Sequence, residues 1–276
     1  MRVVVTGATG FIGAALTPLL QGHDLLLLNR ATADLKDPTS WEPMVEAFAP
    51  YACVHLAWDG LPDYSPERCA QNLTMNTQLL SGLAELGVKR FVVAGSCWEY
   101  GDRAGQLAEA TTPLKPGLFA QTKLSVLSAL ADIADRCGAD WRWGRVFFSY
   151  GAAQRPTSLI PAARAAALKG ETLSLKTPGA VQDFIHIDDV ASSLMALLEG
   201  DIPSGVYNIG PGEPHTVYAV ARLVAANYGV EMPPQPEGEA SGFWADRSKM
   251  TGATGWAPAM TLEAGIDQVL AALDAR

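Results

Sequence analysis

The amino-acid sequence predicts an α/β protein built on a doubly wound parallel sheet. Apolar runs of strand length alternate with helical patterns through the first half of the chain, as a parallel sheet requires. The first run, residues 2–5, breaks into a glycine-rich turn over residues 6–13, and a helical stretch over residues 14–20 follows at once. A chain of 276 residues with 49% apolar residues can bury the core that such a sheet needs.

The turn after the first strand carries three glycines at intervals of three residues, Gly7, Gly10 and Gly13. Between a strand and a helix, this spacing lets the backbone turn tightly and approach a pyrophosphate closely. The start of the helix then offers free N–H groups to an anion. The pattern therefore predicts a Rossmann-type dinucleotide-binding site. We expect its contacts from Gly7, Thr9, Gly10, Phe11, Ile12 and Gly13.

The second predicted strand, residues 24–28, is nearly all leucine, which suits burial on both faces. It ends at Asn29 and Arg30, where such folds meet the adenosine ribose. An acidic residue there selects NAD, whereas an arginine accommodates the 2′-phosphate of NADP. We therefore expect NADP, with NAD as the alternative; Arg30 as a solvated loop cation is the other interpretation. Asp34 and Leu35 are expected to touch the adenine or, alternatively, to begin the next helix.

The later elements continue the alternation. Helices are predicted over residues 41–49, 64–86 and 118–136, and strands over residues 53–57, 90–95 and 141–148. Beyond residue 151 prolines and glycines become frequent, and the predicted elements are strands over 184–187 and 206–209 and helices over 188–198, 216–228 and 261–273. The chain is therefore predicted to divide into a dinucleotide-binding domain, residues 1–150, and a smaller C-terminal substrate domain, residues 151–276. Residues 183–209 are expected to return to the first sheet.

Composition excludes several classes of function. The net charge of −9 and the lack of a basic cluster argue against a nucleic-acid partner. The four cysteines are widely spaced, so no metal site is predicted, and reduced thiols in a cytoplasmic protein are the expectation. The apolar runs are too short to span a membrane, and no signal peptide is expected before the first strand.

An ordered set of segments resembles the extended short-chain dehydrogenase/reductases, the NAD(P)-dependent nucleotide-sugar epimerase, dehydratase and reductase group. The matching segments are residues 6–13, 54–57, 91–101, 145–151, 183–190, 207–210 and 255–265, together with Asn72 and Lys123. The resemblance implies a nucleotide-sugar substrate and a cofactor cleft lined by Leu56 and Ala57. It also implies a homodimer that packs through the helices predicted over residues 64–86 and 118–136.

The same resemblance implies a catalytic set with one departure. The family pairs a tyrosine with a lysine four residues later, near a serine or threonine at the end of the fourth strand; the lysine lowers the pKa of the tyrosine and binds the nicotinamide ribose. Ser96 and Lys123 match the serine and the lysine, but Phe119 occupies the tyrosine position and carries no titratable oxygen. Three explanations stay open: an engineered substitution, another proton donor (Ser96, Tyr100, Cys97 or water), or loss of redox chemistry.

Further departures narrow the expected reaction. Family dehydratases carry an Asp-Glu pair directly after the serine, and Cys97 and Trp98 stand there in this chain, which disfavours dehydration. Family epimerase-reductases that invert neighbouring carbons use a cysteine and a histidine to abstract protons. Cys97 is offset by one residue from that cysteine, and residues 157–161, where the histidine is expected, contain none, so no proton-abstracting pair is evident. Gln182 replaces an arginine that often clamps the pyrophosphate, which weakens the case for a diphosphate substrate. Cations that could compensate are Arg155, Arg164, Lys169 and Lys176.

Of the reactions that the resemblance implies, simple hydride transfer to or from a sugar ring carbon is the one that these departures leave. The sequence favours an NADP-dependent reductase acting on a keto group of a nucleotide-activated deoxysugar. Substrate contacts are expected from Ser96, Cys97, Trp98, Gln182 and Arg247. A nucleotide-sugar 4-epimerase with tightly held NAD is the alternative, and a catalytically silent dinucleotide sensor is the alternative of another class.

Overall fold

The structure, a computed structural model, describes residues 1–235, 238 and 240–275. Its strands, in chain order, are β1 (Arg2–Thr6), β2 (Asp24–Leu28), β3 (Ala52–His55), β4 (Arg90–Ser96), β5 (Gly105–Leu107), β6 (Asp140–Val146), β7 (Phe148–Tyr150), β8 (Ala180–His186), β9 (Gly205–Ile209), β10 (Pro214–Thr216) and β11 (Ser241–Ala245). Its α-helices are α1 (Phe11–Leu16), α2 (Pro38–Phe48), α3 (Pro66–Glu85), α4 (Leu118–Cys137), α5 (Leu159–Ala167), α6 (Ile187–Glu199), α7 (Val217–Ala226), α8 (Ser248–Thr254) and α9 (Leu262–Asp274).

The larger sheet has six parallel strands in the order β2-β1-β3-β4-β6-β9. The β-branched residues Val3, Val4 and Val5 of β1, an interior strand, are fully buried, because helices cover both faces. Helices α1 and α6 pack on one face, and α2, α3 and α4 pack on the other. The direction of winding reverses between β1 and β3, which opens a crevice above the carboxyl end of β1. The predicted doubly wound α/β fold is confirmed.

The second sheet is smaller and has the order β10-β8-β11-β5, with β7 paired to β8. Helices α5, α7 and α9 pack around β7 and β8 through a separate apolar core. Strand β8 pairs within this second sheet, and the chain re-enters the larger sheet with β9. The division at residues 150 and 151 into two domains stays a prediction.

Some predicted boundaries are wrong. The strand predicted over residues 141–148 splits at Phe147, whose N–H donates to the Ile209 carbonyl at 2.9 Å, so β6 and β7 belong to different sheets. The first helix ends at Leu16 and continues as a 3-10 helix over Thr17–Gly22, because Pro18 has no N–H to extend the α-helical ladder. The second helix begins at Pro38, with Asp37 as its N-cap.

Candidate active site

A cavity of about 460 Å³ opens where β4 and β6 end and faces the second sheet. Its volume is in the range typical of small-molecule sites. The predicted site residues that line it are Ile12, Leu56, Ser96, Cys97, Trp98, Phe119, Lys123 and Gln182. Arg247, a predicted substrate contact, is not among the lining residues; it directly precedes α8.

The glycine-rich turn forms a tight cradle beside this cavity. Gly7 has a φ of +72°, and a Cβ built on it would lie 2.8 Å from the backbone nitrogen of Ala57. A Cβ on Gly13 would lie 2.2 Å from the Gly7 carbonyl oxygen, so the helix packs directly on the turn. Thr9 and Gly10 are exposed, and the N-cap residue Gly10 has no side chain to cap the first-turn N–H groups of α1. The turn therefore fits the diphosphate of a dinucleotide.

A buried polar network ties the end of β1 to the end of β3. The Thr6 hydroxyl bonds His55 Nδ1 at 2.7 Å and accepts the Ala57 N–H at 3.3 Å. His55 Nε2 contacts the Asn76 side-chain oxygen. Burial lowers the pKa of His55 to about 4, so its ring is neutral near pH 7. The network holds Leu56 and Ala57, the predicted cofactor contacts, against the glycine-rich turn.

At the end of β2, cations gather around one carboxylate. Arg30 pairs with Asp59 at 3.0 Å while its side chain stays 89% exposed. Lys36 and Arg68 approach the other oxygen of Asp59 at 2.9 and 2.7 Å. The hydrogen bond from Lys36 does most to lower the pKa of Asp59, and the charges of Lys36, Arg68 and Arg30 act in the same direction. This cluster lies after β2 and β3, the two strands that flank β1.

The other residues predicted near the adenosine shape the loop after β2. The Asn29 side-chain oxygen accepts the Ala31 N–H at 2.9 Å. Asp34 accepts the Lys36 N–H at 3.0 Å, and Leu35 packs against the core beneath α2. Asp34 and Leu35 precede the helix, so the alternative that they begin it is wrong.

Ser96 ends β4 and caps the 3-10 helix over Cys97–Tyr100. Its hydroxyl accepts the Trp98 N–H at 3.2 Å, while the Glu99 carboxylate accepts the Ser96 N–H at 2.8 Å. Glu99 is fully buried and is held by Arg145 Nε at 2.7 Å and Trp143 Nε1 at 2.9 Å. Glu99 is thus a capping carboxylate, and it fixes the backbone of Ser96.

Lys123 enters the cavity from α4 and is buried. Its Nζ donates to the Ala94 carbonyl at 2.8 Å and lies 4.3 Å from the centre of the Trp58 ring. Desolvation lowers the pKa of Lys123 to about 8, against the opposing effect of the Glu99 charge. The ammonium is therefore charged at neutral pH but close to losing its proton.

Phe119 lies one helical turn before Lys123 on the same face of α4. Its ring packs against Trp58 and Tyr64, with ring centroids 5.2 and 5.0 Å apart. Both aromatic residues line the cavity, and the sequence analysis missed them as site residues. Trp58 directly follows Leu56 and Ala57, which is a usable signal, whereas no motif marks Tyr64.

Two proton donors considered from the sequence, Cys97 and Tyr100, are unsuited to the role for different reasons. Desolvation, followed by the Glu99 charge, raises the pKa of the buried Cys97 thiol well above its usual value. Tyr100 is buried, its hydroxyl donates to Asn208 Oδ1 at 2.7 Å, and it does not line the cavity. Neither group is suited to proton transfer in the cavity near pH 7.

The four cations that could supply the positive charge missing at Gln182 differ in whether they line the cavity. Arg155 lines the cavity, as does Gln182. Arg164 instead pairs with Asp274, with Nε 2.6 Å from the carboxylate oxygen. Lys169 and Lys176 are not among the lining residues. Arg155 is thus the candidate that remains for an anionic substrate group.

The sequence profile of the NAD dependent epimerase/dehydratase family matches residues 3–210. The chain belongs to this family. The resemblance drawn from the sequence motifs is therefore confirmed at the level of the family.

Relatives of known activity match most of the chain. It is 23% identical to a dTDP-L-rhamnose 4-epimerase of Burkholderia thailandensis over 97% of this chain and 93% of the relative. It is 28% identical to a GDP-6-deoxy-D-talose 4-dehydrogenase of Aggregatibacter actinomycetemcomitans over 81% of this chain and 79% of the relative. The solved structure of RMD from Pseudomonas aeruginosa with NADPH superposes with a TM-score of 0.84 at 25% identity, covering 100% of this chain and 99% of that one.

Two structural absences apply to the described ranges. No helix in residues 1–235, 238 and 240–275 is long and apolar enough to cross a membrane. Within those same residues no three His, Cys, Asp or Glu side chains group closely enough to hold a metal ion.

Proposed function

We propose that this protein is an NADP-dependent reductase that acts on a keto group of a nucleotide-activated deoxysugar. The observation that carries the proposal is that Ser96 and Lys123, from different elements, line one cavity with Ile12 of the glycine-rich turn. A sugar-nucleotide 4-dehydrogenase among the relatives supports this reaction class, since dehydrogenation is the reverse of keto reduction.

The residues around the cavity and the glycine-rich turn have distinct roles in this proposal. When bound, the dinucleotide supplies the hydride. The backbone around Gly7, Gly10 and Gly13 would hold its diphosphate, and Leu56 and Ala57 would contact it from the end of β3. The Ser96 hydroxyl would donate a hydrogen bond to the keto oxygen of the substrate. Lys123 would bind the ribose hydroxyls and place a positive charge near the oxygen that gains negative charge during reduction.

A preference for NADP is supported by the cations at the end of β2. Arg30 and Lys36 are exposed and reach Asp59, so they can also turn toward a 2′-phosphate. RMD, solved with NADPH, supports the same choice. The family description as NAD dependent keeps NAD as the alternative cofactor.

The substrate would enter from the side of the second sheet. Cys97, Trp98, Gln182 and Arg155 line the cavity, and Gln182 lies on β8 of the second sheet. We infer that Arg155 supplies the charge that Gln182 lacks, so that the pair holds the diphosphate of a nucleotide sugar. On this view residues 151–276 act as the substrate-binding region, and Arg247 contributes from outside the cavity wall.

A 4-epimerase is the second candidate, because a relative that aligns with 97% of the chain is a dTDP-L-rhamnose 4-epimerase. The two functions differ in what happens to the cofactor. A reductase releases oxidised cofactor at each turnover, whereas a 4-epimerase returns the hydride to the same sugar and keeps NAD bound.

The test is an assay of the purified chain with NADPH and a dTDP-4-keto-6-deoxyhexose. We expect one NADPH to be consumed for each keto group reduced, with the alcohol identified by NMR. Interconversion of two dTDP-hexoses without NADPH consumption, by protein that retains NAD on purification, would support the epimerase. Failure to bind either dinucleotide would contradict both functions.

Two further expectations belong to the proposal. The family resemblance supports a homodimer that packs through α3 and α4. The four cysteines are free thiols, which supports a reducing, cytoplasmic compartment.

A further inference from the structure

We propose that the Tyr64 hydroxyl is the proton donor that replaces the missing hydroxyl at position 119. The proposal rests on the reductase function proposed above and names one further residue of the same site. Tyr64 lines the cavity together with Ser96 and Lys123. Its ring packs on the Phe119 ring at a centroid distance of 5.0 Å. A phenol therefore stands beside the position at which the family carries its catalytic phenol.

Of the two tyrosines that line the cavity, Tyr64 and Tyr150, Tyr64 is the one whose hydroxyl makes no hydrogen bond within the described residues. The chain has seven tyrosines, and five use their hydroxyls within the fold: Tyr100, Tyr150, Tyr207, Tyr218 and Tyr228. Tyr150 also lines the cavity, but its hydroxyl lies 3.5 Å from the Leu262 carbonyl, and burial raises its pKa. The hydroxyls of Tyr64 and Tyr51 have no hydrogen-bond partner within residues 1–235, 238 and 240–275.

Hydrogen bonds at both ends fix the loop that carries Tyr64. At its beginning, the Asn72 side chain accepts the Asp59 N–H at 2.8 Å and donates to the Asp59 carbonyl at 2.9 Å. At its end, the Asp63 carboxylate accepts the Ser65 N–H at 2.9 Å. The Cys69 thiol, from the first turns of α3, lies 3.7 Å from the Tyr64 carbonyl. These contacts hold Tyr64 in the cavity wall, although the residue is 48% exposed.

The proposed step balances as an ordinary keto reduction. The carbonyl carbon accepts the hydride and becomes a C–H centre, so the sugar is reduced and the nicotinamide is oxidised. The carbonyl oxygen takes the proton of the Tyr64 O–H as that bond breaks. Water then returns a proton to the Tyr64 phenolate. Lys123 stabilises the negative charge during both transfers, and Phe119 acts as the surface on which the Tyr64 ring rests.

Occupancy of the cavity can be tested without turnover by tyrosine nitration. Tetranitromethane nitrates exposed tyrosines, and Tyr64 and Tyr51 are matched at 48% and 44% exposure. We expect NADPH together with dTDP-glucose to slow nitration of Tyr64 at least about fivefold and to leave Tyr51, at the other end of β3, unchanged, as measured by peptide mass spectrometry. Equal nitration of Tyr64 with and without these ligands would overturn the proposal.

The chemical role is tested with the single variants Tyr64→Phe and Phe119→Tyr and with both changes together. Loss of a positioned proton donor typically lowers the rate by about 10²- to 10⁴-fold. We expect Tyr64→Phe to lose at least about 10²-fold in kcat with dTDP-4-keto-6-deoxyhexose, while NADPH affinity by fluorescence changes less than about twofold. Adding Phe119→Tyr to Tyr64→Phe should raise kcat at least about tenfold above that of Tyr64→Phe alone. A variant that had lost activity through a structural defect would not recover in this way. Tyr51→Phe is the matched control and should retain full activity.

The two proposals fail in different ways. If the parent chain reduces the keto sugar and Tyr64→Phe does so at the same rate, Tyr64 is not the donor while the reductase function stands. If the parent consumes no NADPH with keto sugars, the reductase function fails and the role of Tyr64 fails with it.

Discussion

The two ends of the predicted cofactor cleft hold their cations in opposite ways. At the end of β2, Arg30 is almost fully exposed and pairs with Asp59, which Lys36 and Arg68 also contact. In the cavity, Lys123 is buried, and its Nζ meets a backbone carbonyl and an aromatic ring instead of a carboxylate. Exposed pairs contribute about 0–1 kcal/mol, whereas burial of an ammonium shifts its pKa strongly.

Under the proposed function, this contrast assigns the choice of cofactor to Arg30 and the stabilisation of the reacting oxygen to Lys123. A hydrated cation such as Arg30 can exchange Asp59 for a phosphate at little cost, so it suits discrimination between cofactors. A desolvated cation such as Lys123 acts on neighbouring charge with little screening by water, so it suits stabilisation of a reacting oxygen. Three measurements test this division.

The largest effect is expected from Lys123→Met, which keeps the bulk of the side chain and removes its charge. Because the ammonium would face the oxygen that gains charge, we expect kcat/KM for keto reduction to fall by about 10²- to 10³-fold. Steady-state NADPH oxidation measures the change. Lys89→Met, at an exposed site before β4, is the control and should be neutral. Equal rates for both variants would contradict a catalytic role for the buried end.

An intermediate effect is expected from pH on NADPH affinity. In the protein without cofactor, desolvation lowers the pKa of Lys123 to about 8. In the complex, a ribose that accepts hydrogen bonds from Lys123 would keep the side chain protonated. Binding therefore takes up a proton above pH 8, so the affinity should fall by up to about tenfold per pH unit there and stay flat below pH 7. Fluorescence titration measures it. Lys123→Met should remove the pH dependence, and an unchanged slope in that variant would assign it to another group.

The smallest effect is expected at the exposed end. Arg30→Ala should weaken NADPH binding by about tenfold and leave NADH binding unchanged, because only NADPH carries the 2′-phosphate. Titrations of both cofactors, with Arg136→Ala in the last turn of α4 as control, measure the difference. A loss of the same size for NADH would show that Arg30 supports the loop and does not select the cofactor.

Local sequence patterns were sufficient for most of the larger sheet. The leucine run of β2 and the helical pattern of α4 reproduce the observed elements within a residue or two, because periodicity and capping act over short distances. Strands β5, β10 and β11 were missed, since each has three to five residues and forms only by pairing with a distant strand.

In the candidate site, residues that belong to sequence motifs were predicted, whereas residues on a loop were missed. Ser96 and Lys123 were predicted because motif order is visible in a sequence, and they line one cavity. Tyr64 and Trp58 reach Phe119 through a loop whose course depends on Asn72 and Cys69 of α3. No local pattern encodes that course.

The strand–turn–helix with its glycine cradle, the family, and the absence of a phenol at position 119 could be read from the residues alone, because each depends on residue identity and short spacing. Which arginine lines the cavity, and which cavity-lining tyrosine keeps its hydroxyl unbonded within the described residues, depends on the packing of distant elements. Arg164 is bound by Asp274 and Tyr100 by Asn208, residues about a hundred positions away in the chain. Such pairings arise when separate elements pack together, and the chemistry left over at the cavity wall follows from them.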